Sequence, residues 1–249
     1  MKTYIINLKD SVKRRETVLA ATKEYPTMDI ELVEAVNGKS MSEEEQRERF
    51  DHKRFTARMG MKVMPGEIGC TLSHRECCRR LLTSNEEFAL ILEDDVCFLD
   101  PESVEPLLQQ LSEKMAVNIP CIITLTRHRI YYKHCKGKIG KYSLYRIREA
   151  WGTCAYLINR KAAAKILSIT KPYYVADDFL LMNQLGILVL GIYPMLANGA
   201  SEMAIIDSDI IERDSPVRIP SRFNIHYFTC GIFRILLLKL HILERRSYK

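Results

Sequence analysis

The chain has 249 residues, 47% of them hydrophobic and 27% charged, enough to bury a substantial core as one large domain or two joined lobes. No run approaches the roughly 20 apolar residues that a spanning helix needs. The formal net charge of +6 is modest, and no aromatic-interleaved basic stretch accompanies it, so nucleic acid is not an expected partner.

The chain opens in a strand-like run, Thr3 to Leu8, with no signal peptide ahead of it. Periodicity then predicts a helix at about Val12 to Tyr25, a strand at Ile30 to Val36 and a polar helix near Ser42 to Asp51, the βαβ grammar of an α/β sheet. Pro65 and Gly66 open a long helix through Ser84. Phe88 to Val96 reads as a strand, Val104 to Val117 as a helix and Cys121 to Thr126 as a strand. Beyond Lys133 the chain is strand-rich to Glu149. Gly152 to Asn159 leads into a helix from Lys161 to Ile169, and Ile187 to Pro194 closes the regular part. Of the eight cysteines, Cys97, Cys121 and Cys154 sit in or beside apolar runs, so the chain reads as reduced and cytosolic.

The sharpest local feature is Leu90-Ile91-Leu92-Glu93-Asp94-Asp95-Val96, an apolar strand ending in three carboxylates. Burying three acids together is costly without a cation. Strand alternation turns Glu93 and Asp95 one way and Asp94 the other, so Glu93 and Asp95 can share one hard divalent ion, magnesium or manganese. The competing reading is a solvated acidic loop. A second feature runs from Pro65 to His74, a glycine-marked helix start carrying Ser73 and His74. Cys70, His74 and Cys78 recur every four residues there, but eight residues of helix span about 12 Å, too far for one tetrahedral zinc. A third is Asp177-Asp178 before an apolar stretch, where a carboxylate acts either as a general base or as a helix N-cap. Arg14 and Arg15 hold a diphosphate or are plain surface charge. Asn37-Gly38 reads as a turn signal first and a nucleotide contact second.

Together these features resemble glycosyltransferase family 25, which contains bacterial lipooligosaccharide galactosyltransferases and animal collagen galactosyltransferases. The resemblance lies in Ile6-Asn7-Leu8 with Arg14-Arg15, Ala35-Val36-Asn37-Gly38, Gly66-Glu67-Ile68-Gly69-Cys70 with Ser73-His74, and Leu92-Glu93-Asp94-Asp95. It continues through Trp151-Gly152-Thr153, Tyr156-Leu157-Ile158, the Asp177 region and Ser208-Asp209-Ile210. It implies a single-domain GT-A type fold with a Rossmann-like nucleotide-binding sheet over 1–222, a UDP-sugar donor, a divalent cation and inversion at the anomeric carbon. Residue by residue, it places Glu93 and Asp95 at the metal, and Asn7, Arg14, Arg15, Asn37, Gly38, Ser73, His74 and Asp94 around the donor. Asp177 is preferred as the base, with Asp178 beside it. Asn37 departs from the Asp that the family often has before that glycine.

The expected activity is transfer of a hexose, by preference galactose from UDP-galactose, to a lipid-linked saccharide of lipooligosaccharide or lipopolysaccharide synthesis. Its expected setting is the cytoplasmic face of a bacterial inner membrane. A nucleotide-sugar phosphohydrolase and a non-catalytic saccharide-binding protein are the rivals. The segment 223–249, apolar from Ile232 to Leu240 and basic at its end, is expected to be a helical extension lying on anionic lipid, with Arg234 and Lys239 reaching the headgroups.

Overall fold

The computed structural model describes residues 1–115, 118–150, 152–201 and 225–246. Strand β1 (Lys2–Asn7), helix α1 (Val12–Thr22) and strand β2 (Asp29–Glu34) form the opening βαβ unit, followed by a 3-10 turn at Gly38–Ser40. Next come α2 (Glu43–Arg49), α3 (His52–Met59), α4 (Pro65–Thr83), β3 (Phe88–Glu93), β4 (Val96–Phe98) and α5 (Pro101–Met115). The second half contains β5 (Cys121–Thr124), β6 (His128–Ile139), β7 (Tyr142–Ala150), β8 (Ala155–Asn159), α6 (Arg160–Leu167) and α7 (Phe179–Gln184). It continues with β9 (Leu188–Tyr193), β10 (Ala197–Gly199), α8 (Ile225–Lys239) and β11 (Leu243–Arg245).

Nine strands form one mixed sheet in the order β11-β6-β7-β9-β5-β8-β3-β1-β2, and β4 and β10 pair separately. The expected α/β class holds. β2, β1 and β3 run parallel, so Asn7, Glu34 and Glu93 end at the same edge. β8 is antiparallel to β3 with Leu92 opposite Ala155, which brings the segment before β8 to that edge as well. β3 is apolar on both faces because both are covered. Ile91 packs in the cluster that holds Phe55, Leu72 and Leu81, whereas Leu90 and Leu92 pack with Leu107, Leu108 and Leu111 of α5.

Gly38 and Gly69 have a steric cause. A Cβ on Gly38 would lie 1.8 Å from the Pro65 carbonyl oxygen, and one on Gly69 would lie 2.4 Å from that of Val36. The start of α4 therefore lies directly on the turn after β2. Ser73 fastens the same junction, donating to Gly69 O at 2.7 Å and accepting from Val36 N at 2.9 Å.

Several expectations change. The run from Phe88 to Val96 is two strands broken at Asp94 and Asp95, so alternation stops at Glu93. The expected helix over Ser42 to Asp51 ends at Arg49, and Asp51 caps a further helix, α3, through Arg54 N at 2.9 Å. The 223–249 segment contains a helix, α8, and then returns to the main sheet as β11 along β6. Arg234, expected among headgroups, instead pairs with Glu149 at 3.3 Å. Arg246 stacks over Tyr193 with its guanidinium carbon 3.6 Å from the ring centre. All eight cysteines are free thiols, and among the described residues no helix is long and apolar enough to cross a membrane. Val117, Trp151, Ser208-Asp209-Ile210, Phe223 and Lys249, each part of an expectation above, lie outside the described residues.

Candidate active site

A cavity of about 210 Å³ opens at the carboxyl ends of β1, β2 and β3, the usual position for a ligand crevice in an α/β sheet. One wall is apolar, from Ile6, Leu8, Ala35 and Val36. The other carries Arg14, Lys39, His74, Glu93 and Asp94. Asn37, Gly38 and Ser73 also line it, so most of the donor residues expected from sequence meet here. Asn37 accepts from Lys39 N at 3.1 Å and thereby caps the turn.

Asp94 is held by residues from the far end of the sequence. Asn7 Nδ2 donates to Asp94 Oδ2 at 2.7 Å and Arg14 Nη1 lies 3.3 Å from Oδ1. Arg15 turns to Asn7 Oδ1 at 3.3 Å, so it orients the residue that orients Asp94. Burial raises the Asp94 carboxyl above the usual range despite these donors, and Asp95 and Glu93 push the same way. Asp95 faces elsewhere than the cavity wall: its Oδ2 accepts from Ser201 N at 3.3 Å and from the Ser201 hydroxyl. It too is raised, by burial first and then by the charge of Glu93. Glu93 differs: burial pushes it up, but the bond and charge of His74, the Thr153 hydroxyl and Arg14 bring the net shift below the ordinary value.

Three mutually repelling, largely buried carboxylates are the donor set that a hard divalent cation fits. Asp95 Oδ1 is buried with no hydrogen-bond partner among the described residues, a further place for a cation's charge. Glu93 receives both Thr153 Oγ1 (2.7 Å) and His74 Nε2 (3.2 Å) at Oε1, so neither bond uses Oε2.

Sequence reading missed the company that Glu93 keeps. Cys70 Sγ, a ring nitrogen of His74 and a Glu93 oxygen lie within 4.8 Å of one another. His74 is also fixed through Nδ1 to Tyr156 Oη at 3.0 Å. Burial first, then Glu93 and Asp177, push the Cys70 thiol well above its usual value, so it stays protonated here. Cys78 faces away from this group into the core, pushed up to about 12 by burial. That agrees with the distance objection to a Cys70-His74-Cys78 zinc.

The acidic pair divides. Asp178 caps α7, accepting from Leu181 N at 2.9 Å, and receives Arg58 through Nε at 2.9 Å and Nη2 at 3.1 Å. The Asp177 carboxylate, among the described residues, accepts from Gly152 N at 3.2 Å. Burial raises its pKa, with Asp178 and Glu93 adding repulsion. Asp177 and Asp178 line a second cavity of about 400 Å³, together with Arg58, Arg129, Arg148 and Arg234. The segment carrying Asp177 is placed by buried Arg75 of α4, which donates to Ile166 O (2.9 Å), Ile169 O (2.7 Å) and Tyr174 Oη (2.8 Å). In the sequence Arg75 is one more charge on a helix; only its partners, 91 to 99 residues further along the chain, reveal it as a clamp.

Comparison with known proteins supplies the rest. Glycosyltransferase family 25, described as LPS biosynthesis protein, matches residues 1–181. A glycosyltransferase 25 family member of Aedes aegypti is 28% identical over 177 residues, covering 66% of this chain and 27% of that protein. Procollagen galactosyltransferase 1-B of Xenopus laevis is 28% identical over 183 residues, covering 67% and 28%. The chain thus spans just over a quarter of the length of these curated relatives. Among solved structures, a Drosophila β-1,4-galactosyltransferase 7 in complex with manganese, UDP-Gal and xylobiose aligns over 86% of this chain and 76% of its own, with a TM-score of 0.40 and 8% identity.

Proposed function

From the membership of this chain in glycosyltransferase family 25, we propose that it transfers a hexose, galactose by preference, from a UDP-sugar to a saccharide acceptor with inversion. The acceptor in this reading is a lipid-linked saccharide of lipopolysaccharide or lipooligosaccharide synthesis, met at the cytoplasmic face of a bacterial inner membrane. One observation carries the chemistry: a crevice of about 210 Å³ lined by Glu93 and Asp94, with Asp95 next in the chain and Asp177 of the second cavity near enough for the charge of Glu93 to raise its pKa.

In this reading the apolar wall from Ile6 to Val36 takes the nucleoside, and Arg14 and Lys39 lie beside the diphosphate. Glu93 and Asp95 hold a manganese or magnesium ion, with Asp94 toward the ribose or the neighbouring donor group. When bound, the ion offsets the negative charge that grows on the diphosphate as the glycosidic bond breaks. Asp177, facing the second cavity, takes the proton of the acceptor hydroxyl. That oxygen bonds to the anomeric carbon as the carbon–oxygen bond to UDP breaks, and the bonding pair leaves on UDP. Asp178, committed to α7 and Arg58, keeps Asp177 in place.

UDP release from UDP-galactose with manganese tests the reading, measured with and without a truncated lipooligosaccharide acceptor. Acceptor-accelerated release with a new disaccharide linkage is expected. Slow release that no acceptor accelerates would favour a phosphohydrolase. Acceleration only by a collagen-type peptide would move the acceptor to the class in the names of the frog relatives.

A further inference from the structure

The outer side of α8 is apolar and uncovered. Ile232, Phe233, Ile235, Leu236 and Leu240 are each about half exposed, between 49% and 57%, and Ile242 follows at 44%. At about 100° per residue, the five on or beside the helix occupy an arc of about 160°. Arg234 lies outside that arc and binds Glu149 of β7, while Arg148 donates to Cys230 O at 3.3 Å. The helix is therefore tied to the body through Arg234 and Cys230; Ile232, Phe233 and Leu236 border an open hollow with Arg148, Leu180 and Gln184, and Ile235 and Leu240 extend the exposed apolar side beyond it.

A cationic hollow adjoins the end of this face. After α8 the chain turns at His241, whose φ of 53° is in the left-handed region, and Ile242 N returns to Leu237 O at 3.0 Å. The turn and strand β6 enclose a cavity of about 320 Å³ lined by Tyr132, Lys133, His134, Lys136, Arg146, His241 and Ile242, with no acidic side chain among the described residues of its wall. Simple alternation puts Tyr132, His134 and Lys136 on one face of β6, and the irregular register between Tyr131 and Cys135 adds Lys133 to them. Among the described residues, Lys133 is the one of these cations with a carboxylate partner, Glu244 at 3.5 Å. Arg146 lies over the Tyr132 ring at 5.0 Å, and its Nε is buried with no hydrogen-bond partner among the described residues.

We propose that the apolar face of α8 and this hollow form one docking surface for an anionic phospholipid bilayer, with the hollow receiving a lipid phosphate. A lipid surface is the one occupant that presents both chemistries in this order, an apolar layer bordered by a plane of phosphates. Ile242 belongs to both parts, so a helix lying in the interface brings the hollow to headgroup depth. Lys239, the last residue of α8 and within the apolar arc, reaches the same level by snorkelling. Docking on this surface is independent of the transferase reading.

The test is co-sedimentation of the full chain with vesicles of phosphatidylcholine alone, or with about a third phosphatidylglycerol. Binding to the anionic vesicles at least about tenfold tighter than to the neutral ones is expected. Phe233→Ser with Leu236→Ser should reduce binding to anionic vesicles about tenfold or more. Lys133→Gln with Lys136→Gln should abolish most of the anionic preference while sparing the weak neutral binding. Circular dichroism and UDP release with a soluble acceptor sugar accompany each variant; a chain that binds vesicles but transfers nothing sinks the transferase reading and leaves the docking one standing. Equal binding of wild type to both vesicles, or no binding to either, overturns the proposal. So does a dimer in sedimentation equilibrium that the apolar substitutions dissociate while vesicles are ignored, because a second copy then covers the face.

Discussion

Asparagine at position 177 and asparagine at position 178 should fail in opposite ways. Asp178→Asn keeps an oxygen to cap Leu181 N but removes the charge that faces Arg58, whose side chain is 12% exposed against 7% for Asp178. Stranding one member of a buried pair costs about 3–5 kcal/mol. Arg58 keeps a bond to Gln184 Oε1 at 3.2 Å and borders a cavity, so roughly 2 kcal/mol is expected. In a chain of this length that is a drop in melting temperature of roughly 4–8 °C. Asp177→Asn can still accept from Gly152 N and no longer repels Glu93 and Asp178. The fold holds the Asp177 carboxyl above its ordinary value, so ionising it costs stability. Wild-type stability therefore declines as pH rises through that raised value, and the amide variant lacks the decline. Asp177→Asn should melt no lower than wild type at neutral pH yet lose about 10²- to 10⁴-fold in turnover, the cost of a positioned base. Thermal melts and donor-saturated turnover, run on both variants, measure the contrast. If Asp177→Asn melted several degrees lower, or if Asp178→Asn lost more turnover at a temperature where both are folded, the division of roles would be reversed.

Asp95→Asn retains an acceptor for Ser201, so the fold should survive while transfer falls by about 10²-fold or more; undiminished turnover that ignores a chelator would exclude the cation. With Asp177 as the base, the acid limb of the turnover profile should lie above the ordinary aspartate range, activity being lost as pH falls through it. Asp177→Asn should erase that limb. Gly69→Ala places a Cβ 2.4 Å from the Val36 carbonyl oxygen and should cost at least about 1–3 kcal/mol in urea denaturation, with weakened UDP binding by calorimetry because the turn at Gly38 shifts. Normal stability of that variant would show that α4 and the turn can separate freely.

What could be read from the sequence is the part dictated by local periodicity and glycine chemistry. The βαβ opening, the long helix from Pro65 and the acidic end of β3 all follow from patterns within one element, and the crevice lies where such a sheet puts one. Alternation misled at Glu93 because an apolar run followed by acids carries no mark of the turn at Asp94, and so Asp94 shares the crevice wall with Glu93 while Asp95 faces Ser201. Long-range partnerships were invisible for the same reason. Nothing near Arg14 announces Asp94, nothing near Arg75 announces Tyr174, and nothing near Arg234 announces Glu149. Cys70 was visible only as one of a helical series, where its true neighbours are His74 and, from another element, Glu93.

The return of the chain as β11 changes how the C-terminal segment can be studied. Leu243, Glu244 and Arg245 pair with Tyr132, Tyr131 and Ile130, and Arg246 N extends the ladder to Arg129 O at 2.9 Å. β11 is the last strand on its side of the sheet. Cutting the chain before α8 would strip that cover from β6 and leave a row of unpaired amides and carbonyls beside Tyr131, a template for strand addition by another molecule. A truncated protein would then sediment through self-association, with or without lipid, and loss of the tail could pass for gain of membrane binding. Substitutions on the outer face of α8 avoid this, because they alter what the helix shows to solvent while the strand that seals the sheet stays in place.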